Sequence, residues 1–151
     1  QTDSAIAFCP TSNLFLGSGL FPLKKAWSKG VKVGLGTDIG AGTSFNQLQT
    51  LNEAYKVQQL QGEKLSAFES LYHATLGGAR ALSLDDRLGN FNIGKEADFV
   101  VLDLNATALQ TLRQSKARNI EDTFFALTML GDDRNIAATY VAGQAVYVKA
   151  Q

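Results

Sequence analysis

Val33-Gly34-Leu35-Gly36-Thr37-Asp38-Ile39-Gly40-Ala41-Gly42-Thr43-Ser44 is the stretch on which the fold turns. Its apolar start reads as a buried strand, and its end opens through one carboxylate into glycines. Parallel strands in α/β sheets and barrels carry their functional residues at their carboxyl ends. Asp38 stands at that position. A carboxylate there can ligate a divalent cation and take a proton from water, whose pKa falls to about 7 on a metal. The plain alternative is an aspartate that caps the glycine loop or a helix start. The glycines also raise the question of a phosphate loop. A dinucleotide fingerprint would need glycine at position 39, and a P-loop would need Lys followed by Ser or Thr. Neither is present and Asp38 would repel a phosphate, so a nucleotide-binding module is disfavoured.

Upstream, Ala5-Ile6-Ala7-Phe8-Cys9 reads as a second buried strand, stopped by Pro10. A loop is expected at Thr11-Ser12-Asn13, then a helix over residues 20–29 with Pro22 near its first turn and Gly30 at its end. Two short apolar strands around a helix imply a βαβ unit with parallel strands. Downstream, residues 45–61 carry helical spacing with Thr43 or Ser44 as N-cap. Ser66-Ala67-Phe68-Glu69 fits a capping box, and its helix runs towards Leu76 before Gly77-Gly78, with a short helical piece at 79–82. The texture changes near residue 85. Gly89 to Gly94 alternates apolar and polar residues, residues 97–104 form a strong strand pattern, and 106–117 and 120–130 read as helices. Residues 136–141 and 145–148 around Ala142-Gly143-Gln144 read as a β-hairpin. The expected division is 1–84 and 85–151.

At 151 residues the chain can bury one core, and 45% apolar with 19% charged residues is an ordinary globular composition. No apolar run approaches the ~20 residues that cross a bilayer. Fourteen Lys and Arg balance fourteen Asp and Glu, so nucleic acid and anionic membrane are not expected as partners. Cys9 is the only cysteine and His73 the only histidine. An internal disulfide and a Cys/His zinc cage are thereby excluded, and a reducing cytoplasm is the expected location. Residues 1–4 have no basic region and no apolar run follows, so no signal peptide is expected. His73 lies in an apolar-periodic segment and reads as a packed or surface helix residue rather than a ligand. Cys9, between Phe8 and Pro10, reads as a buried, inert thiol. Asp85-Asp86-Arg87 and Asp132-Asp133-Arg134 read as solvated turn clusters.

Several segments together carry a resemblance. Gly36-Thr37-Asp38, Ala74-Thr75-Leu76-Gly77-Gly78-Ala79-Arg80-Ala81-Leu82 and Gly94-Lys95-Glu96-Ala97-Asp98-Phe99-Val100-Val101-Leu102-Asp103 resemble the end of amidohydrolase-superfamily deaminases. Cys9-Pro10-Thr11-Ser12-Asn13-Leu14, residues 34–42 and Leu130-Gly131-Asp132-Asp133-Arg134-Asn135-Ile136 resemble the guanine deaminase family within it. The resemblance covers essentially the whole chain. It implies the carboxyl-terminal part of a metal-dependent (β/α)8 barrel, residues 1–84, plus returning β-sandwich strands and helices, residues 85–151. A complete barrel takes about 250 residues, so only part of one fits here. Residues 6–9 and 31–36 would be its last two strands, and segments 89–104 and 136–148 its sandwich strands.

The same resemblance makes Asp38 the catalytic aspartate and a zinc ligand, with guanine as the substrate hydrolysed to xanthine and ammonia. The family's remaining metal-binding and catalytic histidines and its glutamate lie on earlier strands, outside this sequence. Catalytic zinc takes about three protein ligands plus water. The isolated chain is therefore expected to be inactive and poor in zinc. Missing strands would leave a sheet edge and an apolar face open, so self-association into homo-oligomers is expected. Two other readings share these residues: a deaminase or chlorohydrolase of the same superfamily, and a non-catalytic α/β binding or assembly domain.

Overall fold

The computed structural model describes residues 3–150; Gln1, Thr2 and Gln151 lie outside the described residues. Strands β1 (Ala5–Phe8) and β2 (Lys32–Leu35) pair in parallel, Ile6 opposite Val33 and Phe8 opposite Leu35. Helices α1 (Pro10–Leu16) and α2 (Leu23–Ser28) connect them, so the βαβ expectation is met. Residues 11–13, expected as a loop, instead lie inside α1. Pro10 suits the first helical position because it has no N–H to leave unpaired. Gly17, left-handed at φ 65°, closes the helix, with the Ser18 N–H returning to Asn13 O at 2.9 Å. Thr, Ser and Asn are weak helix formers, and the flanking Pro and Gly overrule them.

Helix α3 (Gln47–Gln59) follows the glycine turn. Its cap is Asn46, not Thr43 or Ser44. Asn46 Oδ1 accepts the Leu48 N–H at 2.8 Å, while Ser44 Oγ accepts the Asn46 N–H at 3.0 Å. Helix α4 (Ala67–Ala74) opens on the expected capping box, both of whose arms are made by Ser66 and Glu69. Helix α5 (Leu76–Ala81) runs through Gly77-Gly78, expected as a break. Those glycines serve close packing: a Cβ on Gly34 of β2 would stand 2.9 Å from Gly78 Cα. Phe8, Leu23, Val33, Ala54, Val57 and Leu65 form the main core between β1, β2 and the helices.

A second sheet has the order β3 (Phe99–Leu102), β4 (Ile136–Val141), β5 (Gln144–Val148), all antiparallel, with α6 (Ala108–Gln114) and α7 (Ile120–Leu130) between β3 and β4. Leu48 and Leu51 of α3 pack with Leu127 of α7, Leu102 and Leu104, joining this half to the first. The hairpin turn is Ala142-Gly143, both at positive φ as a tight β4–β5 connection requires. Residues 89–94, expected as strand, are bends and turns instead. Gly89 and Gly94 are left-handed at φ 95° and 93°, which breaks an extended run. Gly89 sits tight against Leu76 and Ala79, whereas Phe91 and Ile93 stand in solvent.

The segment 130–136 is more than a solvated cluster. Asp132 caps a 3₁₀ turn (Asp133–Asn135) and pairs with Arg134 in solvent, but Asn135 is fully buried. Its side chain donates to Asp103 O at 2.6 Å and accepts from the Asp132 N–H at 2.9 Å and from Gln110 Nε2 at 3.0 Å. Gln110 Nε2 also donates to Leu130 O at 2.7 Å. One buried amide pair thus ties the end of β3 to α6, α7 and the entry to β4.

Candidate active site

At the end of β2 the Gly36 N–H donates to Phe8 O at 3.0 Å, the last rung beside β1. The chain then folds back on itself. Asp38 adopts a left-handed φ of 48°, a conformation that aspartate tolerates better than most side chains. The Gly42 N–H donates to Asp38 O at 2.6 Å and the Gly40 N–H to Gly42 O at 3.3 Å. A Cβ on Gly42 would lie 1.8 Å from Thr37 O, so only glycine closes this turn. The result is an exposed carboxylate at the carboxyl end of β2. Among the described residues it accepts no hydrogen bond and enters no ion pair. A carboxylate left without partners, at the strand end where α/β folds carry function, suits one ligand position of a divalent cation.

Among the described residues no group of three or more His, Cys, Asp and Glu side chains comes together to hold a metal. Cys9 follows β1 at the same end of the sheet. Burial and, secondarily, the charge of Asp38 push its thiol up, which disfavours the thiolate that a nucleophile or metal ligand needs. Asp38 lines neither the hollow beside β1 (Ala7, Phe8, Asn13, Phe21) nor that between α3, α4 and α7 (Tyr55, Lys64, Glu121, Phe125).

His73 is elsewhere, on α4 under the sheet. It is 1% exposed, and its ring lies edge-on to Trp27 and Tyr72 at centroid distances of 5.0 and 5.2 Å. Its Nδ1 is 2.9 Å from Val33 O, and its buried Nε2 has no hydrogen-bond partner among the described residues. Burial pulls its pKa below the usual histidine value, partly opposed by Val33 O and Glu69 and reinforced by Lys24. A neutral imidazole donating to a strand carbonyl is a packed helix residue, as its apolar surroundings in sequence suggest. Lys24 pairs with Glu69 beside it.

The amidohydrolase family pattern matches residues 1–146. The chain belongs to the amidohydrolase family. This amidohydrolase chain is 66% identical over 147 residues to the guanine deaminase of Escherichia coli K12, an alignment covering 97% of the chain and 34% of that protein. The solved E. coli guanine deaminase superposes with a TM-score of 0.97 at 65% identity, covering 99% of this chain and 35% of that one. A guanine deaminase from C. acetobutylicum, solved with guanine in its active site, gives 0.81 at 30% identity over 96% and 34%. An adenosine deaminase from Xanthomonas campestris with bound zinc gives 0.80 at 29% over 95% and 32%. The chain spans about a third of the length of the curated relatives it matches.

Among the described residues, no helix of this amidohydrolase chain is long and apolar enough to cross a membrane. Sequence reasoning singled out Asp38 and passed over the amides that act on the strands. Gln47, Gln110 and Asn135 carry no charge, and although Asn135 lies in a segment that carries the family resemblance, its sequence gives no sign of the buried bonds it makes.

Proposed function

We propose that this chain is the carboxyl-terminal part of a zinc-dependent guanine deaminase, which converts guanine and water to xanthine and ammonia. The carrying observation is the 66% identity to the E. coli guanine deaminase across 97% of the chain, with Asp38 unpaired at the end of β2. The 29% identity to the X. campestris adenosine deaminase ranks adenosine chemistry behind guanine. On this reading residues 1–84 are the last strands and helices of a (β/α)8 barrel, and residues 85–151 the sandwich return. The cytoplasm is the working compartment.

Asp38 is the one residue here that would hold the zinc. When bound, the metal would make water a nucleophile at neutral pH. One proton of the water that adds to guanine C2 ends on ring N3, and the other, taken up by Asp38, would pass to the exocyclic amine as the C2–N bond breaks and ammonia leaves. The remaining ligands and the purine pocket belong to the preceding part of the protein. The isolated chain should accordingly be inactive, retain zinc poorly and self-associate; a monomer in sedimentation at high concentration would count against the last point.

The test is Asp38→Asn in the complete polypeptide. Loss of guanine deamination by on the order of 10²–10⁴-fold, with unfolding temperature little changed, is the expected result. Retained activity would remove Asp38 from the chemistry.

A further inference from the structure

The outer edge of β2 is not bare. Gly36 points its N–H at β1, so by the two-residue alternation of a strand the carbonyls of Val33 and Leu35 point away from it. Side chains from two helices take these carbonyls in succession. His73 Nδ1 of α4 lies 2.9 Å from Val33 O, and Gln47 Nε2, at the start of α3, donates to Leu35 O at 3.2 Å. A carbonyl only accepts, so Nδ1 carries the imidazole proton. Between the two, Gly34 meets Gly78 of α5 with no room for a methyl group. Asp38 lies three residues past Leu35, and among the described residues no side chain bonds its carboxylate.

Neither donor is free to drift. His73 is confined by Trp27 and Tyr72, and α4 is anchored by its capping box at Ser66 and Glu69. Gln47 opens the helix whose Leu48, Leu51, Ala54 and Val57 are buried. The position of β2 along its own axis is thereby referred to the helical core and not to its ladder with β1 alone.

We propose that His73 and Gln47 are positioning residues for Asp38, bracing the two β2 carbonyls that face away from β1, each with a second lone pair left for a neighbouring barrel strand, so that the carboxylate is presented at a fixed height and direction. This rests on Asp38 being the metal-holding carboxylate of a guanine deaminase. The leverage is steep, because a 1 Å displacement at a reacting centre costs about 10²-fold in rate.

Three variants of the complete polypeptide test it. Gln47→Met keeps length and removes the donor; His73→Phe keeps a ring and removes the donor; His73→Asn keeps a donor. Gln47→Met and His73→Phe are each expected to lower kcat for guanine by about tenfold with KM within about twofold. They should also lower zinc per chain and speed amide exchange over residues 36–39. His73→Asn is expected to restore all three readouts towards wild type. Unchanged zinc content and exchange at 36–39 in both donor-free variants would overturn the proposal. So would failure of His73→Asn to restore more than thermal stability. If His73→Phe does not fold, Gln47→Met decides alone. If the unsubstituted polypeptide does not deaminate guanine, the functional reading falls, and exchange at 36–39 still decides whether the straps hold the strand.

Discussion

Asp38 and Ala142 hold nearly the same left-handed φ, 48° and 49°, in turns of different character. Ala142-Gly143 joins β4 to β5, and positive φ at both central residues matches the twist of a tight hairpin. The turn is secured by backbone donors: the Ala142 N–H reaches Asp98 Oδ1 at 2.7 Å and the Gly143 N–H reaches Ala97 O at 3.0 Å. Every residue of β5 is exposed. The conformation of Ala142 serves the hairpin. The turn at Asp38 ends a strand whose Val33 and Gly34 are buried and whose outer carbonyls are held by His73 and Gln47. Its left-handed residue lifts out a carboxylate that no described neighbour uses. Similar backbone strain thus accompanies a plain chain reversal in one region and, on the proposed reading, presents a carboxylate in the other.

The largest effect on this contrast should come from Gly42→Ala. The new Cβ would sit 1.8 Å from Thr37 O and 2.9 Å from Asp38 O, backbone atoms that cannot yield without opening the turn. Deamination by the complete polypeptide should fall by about 10²-fold or more, well beyond the accompanying loss of stability. An active Gly42→Ala enzyme would show that the turn does not set the position of Asp38. Gly34→Ala attacks the support without touching the turn. Its methyl would meet Gly78 Cα at 2.9 Å, separating β2 from α5 at a cost of about 1–3 kcal/mol. Thermal unfolding should show a lower transition, and an unchanged one would mean that α5 moves freely.

The same contrast explains what could be read from the sequence. The parallel pair, the capping box at Ser66, the helix at 120–130 and the hairpin were all legible because local chemistry and burial agree there. The position of Asp38 just past a strand was legible from the apolar run before it and the glycines after it. Residues 11–13 and 77–78 misled because single residues outvoted their neighbours: Pro10 and Gly17 bracket a helix of weak formers, and Gly77-Gly78 make room for β2. Residues 89–94 alternate like a strand, but left-handed Gly89 and Gly94 bend them away from any ladder. The straps on Val33 and Leu35 were not legible, since pairing a side chain with a carbonyl 40 or 12 residues away depends on tertiary packing and leaves no periodic trace.

His73 offers a way to separate the two regions by pH. Burial first, with Lys24, lowers its pKa in the fold, whereas an unfolded histidine titrates near 6.5. Below about pH 6.5 the unfolded chain therefore binds more protons than the folded one, and stability must decline as pH falls towards the folded value. Above about pH 7 this group contributes no slope. Because His73 is the only histidine, amide exchange over residues 33–39 should rise at acid pH before exchange over 136–148. His73→Asn should flatten the dependence of unfolding temperature on pH in this window; an identical slope would place the acid sensitivity elsewhere.

The smallest effect, and the sharpest comparison, comes from relieving each strained residue with glycine. Glycine adopts positive φ without the steric cost borne by alanine. Ala142→Gly should stabilise by about 0.5–1 kcal/mol, the gain at a left-handed site less the added freedom of the unfolded chain. The bond from residue 142 to Asp98 survives because its donor is backbone. Deamination by the complete polypeptide should not change. Asp38→Gly relieves the same dihedral but removes the carboxylate, so its unfolding temperature should hold or rise while activity disappears. If Asp38→Gly lowers stability as Gly42→Ala does, the aspartate side chain is itself part of what closes the turn, and the two turns are then more alike than their surroundings suggest.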